Sequence, residues 1–186
     1  AYKLIEALKQ EVSMPIHLHT HDTTGNGVAT VLFGQMAGAD IADAALNGVS
    51  GLTSQPALNS IVAALKNTPR DTGLNEDELQ ILSDYWGTTR QVYSKFESEM
   101  KSGSTEIYKL EIPGGQYSNL RAQVESFGLG HKFREVKEKY MEANLMLGDI
   151  VKVTPSSKTV GDLALFMVQN DLTMDNIKTK GKELSY

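Results

Sequence analysis

The sequence predicts an α/β fold in which parallel strands give way to a mostly helical remainder. Three observations predict it. A helix, strand, helix, strand rhythm fills roughly the first 50 residues, the pattern of parallel βα units. Strand-like runs stop at Pro56. From there apolar residues recur at helical spacing almost to the C-terminus.

The first helix is AYKLIEALKQEV, with Leu4, Ile5, Leu8 and Val12 on one stripe. Pro15 ends it, and Ile16 to Thr20 reads as a strand. Gly25 to Gly27 form a loop. Val28 to Ala37 is helical and stops at Gly38, a natural residue just past a helix end. Ala39 to Leu46 reads as the second strand and Asn47 to Gly51 as a loop. Pro56 to Lys66 is a helix, and Asn67 to Gly73 a turn-rich connection. A long helical pattern covers Asn75 to Met100, with Leu79, Leu82, Tyr85 and Trp86 on its apolar stripe. After the Lys101 to Thr105 loop, helices are expected over Ser118 to Phe127, Lys132 to Leu147 and Thr159 to Asn170. A polar helix or frayed end closes the chain over Met174 to Leu184. Two strands cannot bury both faces of a parallel sheet. Further strands are therefore expected from sequence outside these residues, and the chain reads as a piece that starts inside an ordered element.

Composition narrows the function. The chain has 186 residues, 40% of them hydrophobic and 22% charged, with a net charge of −5. That balance gives no electrostatic reason to expect nucleic acid or an anionic membrane as partner. No apolar run approaches the ~20 residues that span a bilayer. The absence of Cys excludes disulfides, thiolate metal sites and a Cys nucleophile here. It fits a reducing compartment, and the expected location is cytoplasmic.

Chemistry concentrates in three stretches. In Ile16-His17-Leu18-His19-Thr20-His21-Asp22, alternate residues share a strand face, so His17, His19 and His21 project together. Three of the chain's four His lie here, the fourth being His131. Two neutral imidazoles two residues apart chelate a divalent transition metal well. The alternative is one core His with two polar strand-end residues. If the strands close a barrel of the TIM type, His19 and His21 sit at its catalytic end and His17 lies deeper, filling the interior. With Asp22 adjacent and no Cys, the remaining ligands should be oxygens or come from elsewhere. In Val153-Thr154-Pro155-Ser156-Ser157-Lys158, Thr154 and Pro155 read as an N-cap and first helical residue. The functional alternative is anion binding or proton transfer by a hydroxyl near Ser157 and Lys158. In Glu111 to Leu120 the Gly114–Gly115 pair permits a tight turn or a close ligand approach, and Ser118 would cap the next helix. Thr24-Gly25-Asn26-Gly27 lacks the spacing of a phosphate loop. Trp86, Tyr93 and Phe96 stand at helical spacing and read as packing.

Together these stretches resemble the pyruvate carboxylases. The strings that carry the resemblance are PIHLHTHDTTGNGV, SGLTSQPALNS, EIPGGQYSNL and NLMLGDIVKVTPSSKTVGDLALFMVQNDL, and it runs from end to end. The resemblance implies the last strands of a TIM (β/α)8 barrel in residues 1–52. It implies a helical funnel, the C-terminal part of the carboxyltransferase domain, in residues 53–186. It implies that His19 and His21 bind the metal, a Zn, Mn or Co ion. Thr154 would move a proton between pyruvate and biotin, and Gln116, Ser157 and Lys158 would surround the biotin pocket. Two further metal ligands of the family, an Asp and a carboxylated Lys, and its pyruvate-binding Arg have no counterpart here. The partners implied are pyruvate, carboxybiotin, and the biotin carboxylase and biotin carrier domains, with ATP and Mg used in a domain not present. The assembly implied is a homotetramer containing carboxyltransferase dimers. Oxaloacetate decarboxylase and transcarboxylase carry similar His and Gly-Gly motifs and stand as alternatives, as does a non-catalytic assembly module.

Overall fold

The structure is a computed structural model that describes residues 1–97 and 100–184. The chain divides into two compact units, Ala1–Thr105 and Glu106–Tyr186. Among the described residues no helix is long and apolar enough to cross a membrane.

The first unit runs α1 (Tyr2–Glu11), β1 (His17–Leu18), α2 (Gly27–Met36), β2 (Ile41–Ala42), α3 (Leu58–Leu65) and α4 (Glu76–Val92). Both strands are shorter than expected. They pair in parallel, His17 opposite Ile41 and Leu18 opposite Ala42. Asp40 and Ile41 donate their N–H groups to the Ile16 carbonyl, and Asp43 donates to that of Leu18. Ile5, Val31, Ala39, Ile61, Val62 and Leu79 are buried, but much apolar surface stays open. Leu4 on α1 is 65% exposed, and Phe33 and Met36 on α2 are 55% and 72% exposed. The predicted stripe of α1 thus buries only Ile5.

Helix α4 starts where expected. The Asn75 side chain accepts from Asp77 and Glu78 N–H, and Glu76, Asp77 and Glu78 face the positive end of the helix dipole. It ends at Val92 rather than Met100, of which span residues 98 and 99 lie outside the described residues. Arg90 explains the stop, because its guanidinium grips Glu97 at 2.5 and 2.9 Å and turns the chain into a 3-10 turn, Ser94–Phe96. The buried face of α4 matches the predicted stripe only at Leu79. Leu82, Tyr85 and Trp86 are exposed, whereas Leu79 and Ser83 are buried. Ser83 donates to Asn59 Oδ1, and Gly87 meets Gly48 of the 3-10 turn Asn47–Val49. Trp86, Tyr93 and Phe96 line an open groove of about 330 Å³ instead of packing inside.

The second unit runs α5 (Glu106–Leu110), α6 (Gly114–Ser126), α7 (Phe133–Met146), α8 (Ser156–Gln169) and α9 (Ile177–Lys180). It has one continuous core. Leu120 and Val124 of α6, Phe133, Val136, Tyr140 and Ala143 of α7, and Val160, Ala164, Met167 and Val168 of α8 are all buried. Their spacings of three and four residues are the helical period that sequence predicted. Helix α6 begins four residues before the predicted Ser118, because the Pro113 carbonyl accepts the first helical bond, from Tyr117. Ser118 bonds back to the Gly115 carbonyl inside the helix and caps nothing. In α8 the cap is Pro155 and the first helical residue Ser156, one position later than the sequence suggested.

A Cβ on Gly48 would lie 2.5 Å from Gly87 N and 2.9 Å from Gly87 Cα. Gly48→Ala should therefore cost about 1–3 kcal/mol in chemical denaturation, the usual range for overpacking. In the second unit the buried Tyr140 hydroxyl donates to the Ser157 carbonyl at 3.2 Å, and burial pushes its pKa up to about 12. The fold favours the neutral phenol. Its contribution is complete below the ordinary value of ~10 and is lost as pH rises through about 12. Tyr140→Phe should cost ~1 kcal/mol at neutral pH. It should also remove this alkaline decline from stability measured by urea titration against pH.

Candidate functional site

The first cluster follows from the strand register. His17 and His19 are two residues apart and share a face, as the sequence predicted. What sequence missed is Asp43, which leaves β2 beside them. Its Oδ1 lies 2.7 Å from His17 Nε2, and its Oδ2 lies 2.7 Å from His19 Nδ1. Those two hydrogen bonds, His17 first, hold the Asp43 carboxyl below its ordinary pKa against a smaller opposing effect of burial. His17 was expected to lie deeper, inside a barrel, and with two paired strands among the described residues its ring is open. Its ring is 52% exposed and stands on a two-stranded sheet, where Asp43 is its polar partner.

His21 lies beyond the strand in the loop that leads to α2. Its Nδ1 is 2.6 Å from the Thr53 carbonyl oxygen. A carbonyl can only accept, and so can a carboxylate. The proton of His21 is therefore on Nδ1, as is that of His19. In the neutral rings both Nε2 atoms then carry a free lone pair. The two rings stand edge to face with centroids 5.3 Å apart. An imidazole that donates one N–H to an oxygen and offers the other nitrogen is the usual state of a metal-ligating His. The donor chemistry of His19 and His21 fits a divalent metal. Among the described residues no group of three or more His, Asp or Glu could hold a metal by itself, and as metal ligands the pair would supply two nitrogens. Asp22 is otherwise engaged. Its Oδ1 accepts from Gly27 N–H at 2.7 Å and caps the start of α2, with Pro56 packed so close that a Cβ on Gly27 would lie 2.6 Å from its ring.

The second cluster lies in the second unit, around the start of α8. Thr154 is exposed in the turn before the helix. Ser156 ties this turn together. Its hydroxyl lies 2.6 Å from the Val151 carbonyl and 2.5 Å from that of Val153, and it accepts from Val153 N–H at 3.1 Å. Ser157 is buried, with its carbonyl held by Tyr140. Gln116, in the first turn of α6, is also buried. A Cβ on Gly161 would come within 2.5 Å of its amide nitrogen, so the missing side chain at Gly161 is what admits Gln116 against α8. Gly161 is one helical turn from Ser157, so Gln116 and Ser157 address the same face of α8. Lys158 points outward and pairs with Asp162 at 2.7 Å, and Gln123 donates to the other Asp162 oxygen at 2.9 Å. The opposing effect of burial comes first at Asp162, but the bonds from Lys158 and Gln123 prevail and lower its pKa.

Asp43 and Tyr140 were not singled out from sequence, and Gly161 and Asp162 entered only through the Val-Gly-Asp that helps carry the resemblance. Asp43 carried a signal, since a carboxylate two residues after Ile41 on a predicted strand shares a face with an apolar neighbour and calls for a partner.

Comparison with known proteins agrees along the whole chain. Residues 107–186 match the family described as Conserved carboxylase domain, and residues 1–85 match the HMGL-like family. Pyruvate carboxylase 1 of Caenorhabditis elegans is 55% identical over 98% of the chain. The pyruvate carboxylase of Staphylococcus aureus is 54% identical over all of it. The chain spans 16% of the length of these curated relatives. The carboxyl transferase domain of Rhizobium etli pyruvate carboxylase, solved with pyruvate and biocytin, superposes with a TM-score of 0.95 at 48% identity. That match covers 100% of this chain and 31% of the solved one. The α/β character of the first unit accords with these matches, and the chain belongs to the pyruvate carboxylase family, as a segment of its carboxyltransferase domain.

Proposed function

We propose that the protein containing this chain carboxylates pyruvate to oxaloacetate with biotin as carboxyl carrier, and that this chain supplies part of the carboxyl-transfer site. The observation that carries the reading is the end-to-end match to a carboxyl transferase domain solved with pyruvate and biocytin. In this reading residues 1–52 are the last strands of a TIM barrel and residues 53–186 the helical funnel. His19 and His21 hold a divalent Zn, Mn or Co ion through their Nε2 atoms. The ion, when bound, supplies Lewis acidity toward the pyruvate carbonyl. Gln116, Ser157 and Lys158 border the biotin pocket.

Thr154 moves the proton. A threonine hydroxyl is far too weak a base to hold a proton taken from carbon. It works as a relay once the N–C bond of carboxybiotin has broken to carbon dioxide and a ureido anion, accepting the methyl proton of pyruvate on Oγ1 while giving its own to that ureido nitrogen. Its position supports this, because the exposed turn before α8 presents the hydroxyl while Ser156 holds the backbone. The pyruvate enolate left by that proton transfer attacks the released carbon dioxide through its methylene carbon and gives oxaloacetate. ATP with Mg belongs to a biotin carboxylase domain, and biotin to a carrier domain, of the same cytoplasmic homotetramer with its carboxyltransferase dimers. Neither nucleic acid nor a membrane is a partner.

The test is metal content together with pyruvate-dependent carboxyl transfer in the intact polypeptide. About one divalent ion per chain is expected, and His19→Ala should lose the ion and the activity together. Metal-free, fully active protein would make the His cluster structural. Thr154→Ala should keep the ion yet lose carboxyl transfer by at least ~10²-fold, the lower end of what a positioned proton carrier contributes. Steady-state assay of that variant beside its metal analysis separates the two roles, and retained transfer would remove Thr154 from the mechanism.

A further inference from the structure

We infer that Asp43 is the positioning residue that sets the His19 ring for metal binding, and that His17 braces Asp43 rather than serving as a ligand. The inference rests on the reading above, in which His19 and His21 bind the metal.

The two His anchors differ in kind. His21 donates to a main-chain carbonyl, that of Thr53, which no substitution removes. His19 donates to a side chain. The parallel register carries Asp43 to its place, since the Asp43 N–H bonds the Leu18 carbonyl at 3.0 Å and continues the Leu18–Ala42 pairing. Each Asp43 oxygen is then committed to one imidazole, at 2.7 Å in both cases. Three consequences follow. The proton of His19 is fixed on Nδ1, which leaves Nε2 as its donor atom. The ring plane of His19 is fixed by the line to Oδ2. The carboxylate cannot turn about its own axis without breaking the His17 bond, so His17 stiffens the anchor. Asp43 meets His19 at Nδ1, not at the donor nitrogen Nε2, and so acts through His19 rather than on the ion. A carboxylate behind an imidazole also makes that imidazole a stronger donor, and loss of such a partner typically costs about 10–100-fold in metal affinity.

The test uses the intact polypeptide and three variants, Asp43→Ala, Asp43→Asn and His17→Gln. The readouts are metal affinity by competition with a chromophoric chelator, the absorption spectrum of the Co(II)-loaded protein, and circular dichroism for the fold. Asp43→Ala should bind metal about 10–100-fold more weakly and shift the Co(II) bands without changing their intensity class. Its turnover should recover at saturating metal. His17→Gln retains an N–H that can reach Oδ1 and should stay within a few-fold of the parent. Asp43→Asn, nearly the same shape, gives the reading if the alanine variant fails to fold. Parental affinity and spectrum in both Asp43 variants would overturn the proposal. So would an Asp43→Asn variant that loses the metal as completely as His19→Ala, since Asp43 would then be a ligand. A parent protein that binds no divalent metal overturns both this inference and the reading beneath it. A metal-bound parent with indifferent Asp43 variants overturns this inference alone.

Discussion

The Ile16 carbonyl accepts from Asp40 and Ile41, and the Leu18 carbonyl from Asp43, and these few hydrogen bonds hold β1 and β2 in one register. The histidine cluster depends on that register. In a strand a slip of one residue sends every side chain to the other face. Asp43 would then turn away from His17 and His19, and the proton of His19 would be free to occupy either ring nitrogen. The strands are two residues long, so the register is not secured by length. It is secured from outside the ladder. Lys9 pairs with Asp40 at 2.6 Å, and the same Asp40 oxygen accepts from Ile16 N–H at 2.7 Å. On the far side of the cluster, Asp22 N–H donates to the Ser54 carbonyl while its side chain caps α2. A parallel pair this short is a local consequence of the helices and loops that flank it.

The second unit solves a different problem. Its helices close a continuous core around Leu120, Val136, Tyr140, Val160 and Met167, and the exposed turn at Thr154 is fixed from beneath. Tyr140 reaches from α7 to the Ser157 carbonyl, Ser156 knots the turn, and Gly161 lets Gln116 close in. A hydroxyl that must exchange protons needs to be reachable, yet its backbone must not wander. For the proton transfer proposed for Thr154, burying Ser157 while leaving Thr154 open meets both demands, because the residue stands just ahead of a helix start held by Ser156 and Tyr140.

Sequence reasoning found what repeats over short distances. The shared face of His17 and His19 was legible because a period of two places them together, and α7 and α8 because a period near 3.6 runs through Val136, Tyr140 and Ala143 and through Val160, Ala164 and Met167. It failed where a distant partner decides. The end of α4 depends on Arg90 reaching Glu97, and the buried face of α4 on two glycines meeting, Gly48 and Gly87. The start of α6 was misplaced because Ser118 has the chemistry of a cap, while Pro113 supplied an acceptor earlier in the chain. Helix α5, five residues long, offers too few turns for any periodicity. Asp43 lies 24 residues from His19, and only strand pairing brings them together.

That last separation bears on how the site can be tuned. Of the two imidazoles, His21 leans on a peptide carbonyl whose acceptor strength is nearly the same in any protein. His19 leans on a carboxylate, and the charge on that carboxylate is itself stabilised by His17. Donor strength at a metal follows the acceptor behind the ring. In the metal site proposed for this pair, His21 is therefore the fixed point and His19 the adjustable one. Substitutions at Asp43 or His17 would change how strongly His19 donates while leaving the ligand set intact. A direct ligand cannot be altered so gently. Placing the adjustment one residue behind the ligand lets affinity and Lewis acidity vary without dismantling the site, and the strand register is what makes that second position available.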